Sequence, residues 1–320
     1  MAARVVARVP GGTARRESVS RTAGRMAVAI AAACGALAWP GWVDGLRAAP
    51  PNLPFQRAQA RPDPVEPDTS PAARQSAIQS IPFEQLDAGA RAKVRAVLSD
   101  VSVFRRMPAK VVDCDPNLYL FLVQHPDVVV NIWEVLRISK LQLNHIEARR
   151  YQVIEPAGTQ GAIEFLYDSH DTHLIYGEGT YEGTVFARPV RGKSLVVLKT
   201  GYVRETNGRY YITSRMDVFL SIDHLPAELI GKAFQPLLGK VADMNFIQSL
   251  AFVASLSRTA EVKHQSVQRL ASSLGKVEPA LRTRLAELAE EIARESPDAK
   301  NAETGDVPEV ADRPGTAAAN

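Results

Sequence analysis

Asp168, His170, Asp171 and His173 crowd one short stretch, and by type they are oxygen and nitrogen donors of the kind a metal ion needs. Their spacing matches no metal-ligand template, and polar residues collect at turns anyway, so the stretch reads as a solvated turn with no metal. Lys199 sits among apolar neighbours, with Leu195, Val197 and Val203 at alternate positions. An amine there either pairs with an acidic group of a ligand or carries its charge along an apolar stem to the sheet edge. Arg215 and Asp217, two apart, read as an ion pair on an open strand face rather than an acid–base pair. Glu164, Tyr167, Tyr176, Glu178 and Tyr181 fit a pocket mouth or plain surface, and His125, His145, His224 and His264 stand singly. No Ser/His/Asp set, phosphate-cradling loop or HExxH occurs, so no catalytic residue and no cofactor is expected.

The elements that must position these groups are easier to read. The strongest local signal is LVVLKTGYVRETNGRYYITSRMDVFLSI, two β-rich runs joined across Asn207-Gly208, a pair suited to a two-residue type I′ turn. In its second run Tyr210, Ile212, Met216, Val218 and Leu220 alternate with Tyr211, Thr213, Arg215 and Asp217, which predicts one buried and one wet face. A long apolar helix follows in AELIGKAFQPLLGKVADMNFIQSLAFVASLSR, with a kink expected at Pro236 and Gly239. Ile230, Phe234, Leu237 and Val241 form one stripe on it, and Phe246, Ile247, Leu250, Val253 and Ala254 form another. Both sides need covering. The sheet is expected to cover one and a helix at 83–98 the other.

Upstream, AKVVDCD reads as a strand, and prolines at 116 and 126 open two short helices. Turn signals at 156–158, 168–171, 177–179 and 191–192 then divide a meander into strands at 141–154, 161–167, 172–176, 180–188, 194–204 and 209–222. Cys114 reads as a small buried hydrophobe, and Cys34 falls in the leader.

The ends have a different character. The net charge of +3 conceals a +5 contribution from residues 1–25, with six Arg against one Glu, so the remainder sums to −2. A basic nucleic-acid surface on the folded part is therefore not expected. Residues 1–38, positive and then apolar up to Ala36-Leu37-Ala38, read as a signal peptide or an uncleaved N-terminal anchor that tethers the chain to a membrane, hence an exported protein. Residues 39–80 read as a disordered Pro-rich linker with neither helix nor strand, and residues 296–320 as a disordered tail. Between them lie a domain at 81–258 and amphipathic helices at 259–295, which pack back, meet a partner or pair with a second copy as a homodimer.

Strand, two short helices, an antiparallel run and a long closing helix make an α+β arrangement. Over residues 109–258 this order, with the turn ETNGR and the helix quoted above, resembles the helix-grip fold of the START and polyketide-cyclase-like superfamily. The resemblance implies a curved sheet of six to seven strands wrapped round the terminal helix. It also implies a cavity between them for an apolar small molecule such as a lipid, sterol or polyketide. Tyr210, Ile212, Met216, Val218, Ile230, Phe234, Leu237, Val241 and Lys199 are the expected lining. A space above roughly 300 Å³ walled by carbon would favour a carrier, and a space plugged by aromatic rings would favour a structural or interaction protein working through its terminal helices. A cyclase- or hydrolase-like enzyme ranks third.

Overall fold

The computed structural model describes residues 66–156, 158–182, 188–206, 208–223 and 235–296. The leader, the linker up to residue 65 and the tail beyond Ser296 lie outside the described residues.

The first described helix, α1 (Pro71–Gln79), falls in the stretch read as linker. Pro71 opens it, and Ser70 Oγ accepts from the Ala73 amide at 3.1 Å, so a proline counted as a breaker is a first-turn residue under a serine cap. A 3-10 turn (Phe83–Gln85) leads to α2 (Ala88–Leu98), capped by Asp87. Strands β1 (Val103–Arg106) and β2 (Lys110–Asp113) follow, then α3 (Pro116–Gln124) and α4 (Pro126–Val135). The meander is β3 (Gln142–Glu147), β4 (Arg150–Glu155), β5 (Thr159–Asp168), β6 (Thr172–Tyr181), β7 (Val190–Arg204) and β8 (Tyr210–Ile222). Helices α5 (Gln235–Ser272) and α6 (Pro279–Glu295) close the chain.

The eight strands form one antiparallel sheet, ordered β1-β8-β7-β6-β5-β4-β3. β2 also pairs with β8, next to β1, because Pro108 interrupts what would otherwise be one edge strand. The expected strand at 141–154 is two strands, folded back at Ala148 (φ 40°). The turn expected at 177–179 lies inside β6, and the one at 191–192 lies inside β7. Gly179 is paired with Gly161 across the sheet, and a Cβ on Gly161 would stand 2.3 Å from the Glu178 carbonyl oxygen. These glycines permit close approach of two strands rather than a reversal. Across the β7–β8 connection the Glu205 amide bonds the Arg209 carbonyl at 2.9 Å; of the expected Asn207-Gly208 turn, Asn207 lies outside the described residues.

Both faces of the sheet are covered. Leu174, Tyr176, Leu195, Val197, Phe104 and Phe219 pack under α1 and α2 in one core. Ile163, Phe165, Ile175, Val196, Leu198, Ile212, Met216 and Val218 pack under α3 to α6 in a second, larger one. The face expected to be wet is therefore a helix interface, and α2 lies across the sheet from α5 rather than against it. The second side of α5 is covered instead by α3, α4 and α6; Trp133 meets Phe252 edge-on at 5.9 Å. Val267, Leu274, Leu285, Leu288 and Ile292 belong to the same core as the sheet, so α6 packs back on this chain.

The helix breaks at Lys263 (φ −148°, ψ 50°), not at the expected Pro236 and Gly239. Gly239 serves a contact: a Cβ there would lie 2.6 Å from the Arg105 guanidinium, which reaches past it to bond Asp243, Nε to Oδ1 at 2.8 Å. Its neighbour Arg106 points to the opposite face, bonding buried Asp217 at 2.6 Å and the Ala73 carbonyl of α1 at 3.3 Å. Two consecutive arginines thus tie β1 to the helix layer on either side.

α4 ends in a Schellman arrangement, with the Ile138 amide on the Trp133 carbonyl at 2.8 Å and Arg137 holding a positive φ of 58°. Glycine is the residue suited to that place. Arg137→Gly is expected to stabilise the protein by about 1 kcal/mol, read as a higher urea midpoint at unchanged slope. A lower midpoint would show that the arginine side chain contributes more than its backbone strain costs.

Candidate functional site

Between the second face of the sheet and the helices lies a narrow chamber. Its walls are Ile163, Phe165, Ile175, Leu198 and Met216 from the sheet, Tyr119, Leu122, Val123, Pro126 and Val129 from α3 and α4, and Phe246, Ser249, Leu250 and Val253 from α5. Nearly all of this is carbon. Its cavity volume is about 40 Å³. At roughly 10–15 Å³ per water, it holds a few waters' worth of matter, far less than a lipid or sterol needs.

Few polar groups meet the chamber. The Tyr119 hydroxyl is held by Ser214 Oγ at 2.7 Å and Thr200 Oγ1 at 3.2 Å. The larger polar feature lies beside it, on the same sheet face. A bulge between Phe165 and Tyr167 turns Asp168 inward, opposite His173. Asp168 Oδ1 meets His173 Nδ1, while its Oδ2 takes Arg149 and the amide of Gln124, the latter at 3.1 Å. His173 is fully buried and its Nε2 has no hydrogen-bond partner among the described residues. Burial, followed by the charge of Arg149, holds its imidazole down at about 4. The carboxylate is already shared with a permanent cation, so a second charge on the ring gains little. At the start of α4, Asp127 is also buried with Oδ1 unpaired, and burial pushes its carboxyl up, moderated by His125 and His145.

A second recess opens at the far end of β7 and β8. About 410 Å³ in extent, it is bordered by Asp113, Asp115, Arg204, Arg209, Tyr210, Glu261 and Glu295. Arg209 bonds Asp113 at 2.8 Å and Glu261 at 3.1 Å, and Arg204 stacks on Tyr210, so much of this charge is satisfied within the recess. Cys114, at its floor, is buried, and burial drives its thiol well above the ordinary range, as suits an inert hydrophobe.

The expected lining is divided by the structure. Met216 lines the chamber, while Ile212 and Val218 lie on the same face within the surrounding core. Tyr210 belongs to the polar recess. Lys199 is on the other face, with Leu195 and Val197 toward α2, and its Nζ donates to Thr172 Oγ1 at 2.8 Å; it cannot reach the chamber. Ile230 and Phe234 lie outside the described residues, as do the side chains of Leu237 and Val241. The expected Arg215–Asp217 ion pair is present at 3.9 Å, but the face is not open: Asp217 is buried and its closer partner is Arg106 at 2.6 Å. Glu164, bonded by Lys93 at 2.5 Å, and Tyr176, bonded to Glu178, serve the outer layer. The sequence reading missed His173 and Asp168 by treating them as part of a solvated turn. Only Ser169, His170 and Asp171 form that turn. Alternation with Ile175 marks His173 as inward, but nothing in the sequence marks the bulge that brings Asp168 to it.

No protein-family model and no curated protein matches the chain. Among solved structures it is similar to a conserved protein from Geobacillus kaustophilus, at 11% identity over 46% of this chain and 92% of that one, with a TM-score of 0.33. A hypothetical protein from Helicobacter pylori shares 14% identity over 47% of this chain and 85% of its own, with a TM-score of 0.30. Truncated norcoclaurine synthase from Thalictrum flavum shares 11% over 47% and 92%, with a TM-score of 0.28. Likenesses this distant assign no site. The antiparallel sheet packed on a long C-terminal helix is helix-grip-like on its own coordinates.

The unfolded chain takes a proton on histidine near 6.5, whereas folded His173 refuses it until about 4. The contribution of His173 to stability is thus expected to be level above that window and to fall as pH drops through it, by up to about 1.4 kcal/mol per pH unit. Histidine NMR titration checks the cause: Arg149→Met should move the His173 midpoint back toward 6.5. An unmoved midpoint would leave burial alone responsible.

Proposed function

We propose that this protein is a non-enzymatic binding protein that takes a compact apolar molecule into the chamber between its sheet and α5, in the manner of START and polyketide-cyclase-like proteins. The observation that supports this is a wall drawn from the sheet, α3, α4 and α5 that is almost wholly carbon and keeps a small space in an otherwise close-packed layer. Space of that kind stays dry and admits small apolar guests. Its size limits the cargo. Lipid-, sterol- or polyketide-sized molecules do not fit between the described walls, so a guest of a few heavy atoms is the match. Residues 1–38 support an exported or membrane-tethered setting, and among the described residues no helix is long and apolar enough to cross a membrane.

The 40 Å³ figure also favours a second reading. Tyr119, Phe165 and Phe246 then simply fill a core, and the protein is a structural or interaction protein working through α5 and α6. Xenon separates the two, because it enters carbon-lined space without needing a hydrogen bond. With the full chain under xenon pressure, methyl NMR signals of Leu122, Val129, Ile175, Leu198 and Val253 are expected to shift in a saturable way while methyls under α2 stay put. No shift at the chamber methyls would overturn the binding reading and leave the filled core.

A further inference from the structure

The polar recess shares no lining residue with the carbon-walled chamber. Five elements meet there: the end of β2, the start of α3, the β7–β8 hairpin, the middle of α5 and the end of α6. Arg209 bonds Asp113 and Glu261, and Arg258 bonds Glu261 as well, so two arginines and two carboxylates form a neutral clasp. Around that clasp the charges are not matched. Glu295 stands at the last position of α6, where the carbonyl end of the helix already disfavours an anion, and it has no cation partner among the described residues. Asp115, the cap of α3, is close by: burial pushes its carboxyl up, and the charges of Glu295 and Glu291 add to that. Arg204, on the hairpin, has no carboxylate partner among the described residues, and its guanidinium lies 5.4 Å from the centroid of the Tyr210 ring. One recess of about 410 Å³ is thus lined by a cation and an anion that no ion pair joins.

We propose that this recess is a second binding site, for a small zwitterion of the amino-acid or short-peptide class, with its ammonium at Asp115 and Glu295 and its carboxylate on Arg204. The volume falls within the roughly 300–1,000 Å³ of small-molecule sites, and the open recess suits a polar ligand as the closed chamber does not. A metal ion is a poor fit, because no group of three or more His, Cys, Asp or Glu among the described residues could hold one. A simple anion would meet Asp115 and Glu295, and a simple cation would leave Arg204 unmatched, so a ligand carrying both signs is the complement. A guanidinium receives a carboxylate through two parallel hydrogen bonds, and its place against Tyr210 limits the freedom it would lose on doing so. The neutral Arg209 clasp supplies a rigid floor.

The test uses glycylglycine and two blocked analogues: the N-acetyl form, which lacks the ammonium, and the C-terminal amide, which lacks the carboxylate. On the full chain, glycylglycine is expected to shift the backbone NMR signals of Gly208, Tyr210 and Ser296 in a saturable way while the chamber methyls stay put. Each analogue should bind roughly tenfold more weakly. In Arg204→Gln the advantage of the dipeptide over its amide should vanish, and in Glu295→Gln its advantage over the acetylated form should narrow. Both positions are exposed; if either variant does not fold, the analogue series on the unaltered chain decides by itself. An analogue that binds as well as glycylglycine, or ratios unchanged in the two variants, would overturn the zwitterion site. Sodium chloride at matched ionic strength producing the same shifts would reduce them to charge screening and overturn it too, as would the lack of any saturable shift. Recess signals and chamber methyls are read separately, so failure here leaves the chamber to the xenon result.

Discussion

The register of β7 on β8 is the constraint on which the rest of the molecule depends. Thirteen consecutive residue pairs run from Gly192 opposite Ile222 to Arg204 opposite Tyr210. Because side chains alternate with a period of two, this one ladder assigns residues to two separate cores at once. Leu195, Val197 and Phe219 go under α2, while Val196, Leu198, Met216 and Val218 go under α5. A slip of one residue would exchange them and bring Asp217 among the apolar walls of the chamber. The arginines of β1 hold the same frame at its edge, one bonded into α5 and the other to β8 and α1.

Two covered faces explain which parts of the fold were legible in the sequence. The alternation in β8, the proline starts of α3 and α4 and the long apolar α5 are local signals, and each produced its element. What failed depended on the partner across the sheet. Alternation tells which residues share a face; it does not tell whether that face meets water or a helix, and the answer lay in α1, hidden in a stretch whose prolines suggested no structure. Gly177, Gly179 and Gly192 read as turns because glycine marks both reversals and close approaches, and only the neighbouring strand distinguishes them. Lys199 was placed in the chamber for the same reason: its apolar face was recognised, but there were two.

The site was less legible than the fold, again for a physical reason. Asp168 and His173 are polar residues at a hairpin end, where solvent is the usual partner. One bulge overrides that. By shifting the register between Phe165 and Tyr167, it lets Leu166 and Tyr167 both face the outer layer and rotates Asp168 into the inner one. Bulges leave almost no trace in composition, so the pairing of a carboxylate with a buried imidazole appears only once the strands are in place.

Placing ions there is a cost that apolar residues would avoid, since buried ion pairs commonly contribute less than well-packed hydrocarbon of the same volume. A structural purpose alone would be met by Asp168 with Arg149 and Gln124, which already join β5 to the β3–β4 turn and to α3. The imidazole adds one more bond to that carboxylate and leaves its second nitrogen without a partner among the described residues. Leucine at the same position would fill the layer without the orphaned atom, and lysine would not stay neutral beside a buried carboxylate. Histidine is instead held through one ring nitrogen while the rest of its neutral ring packs in the apolar layer between same-face neighbours Ile175 and Leu198, so the bulge that aims Asp168 inward and the residue opposite it on β6 act as one unit.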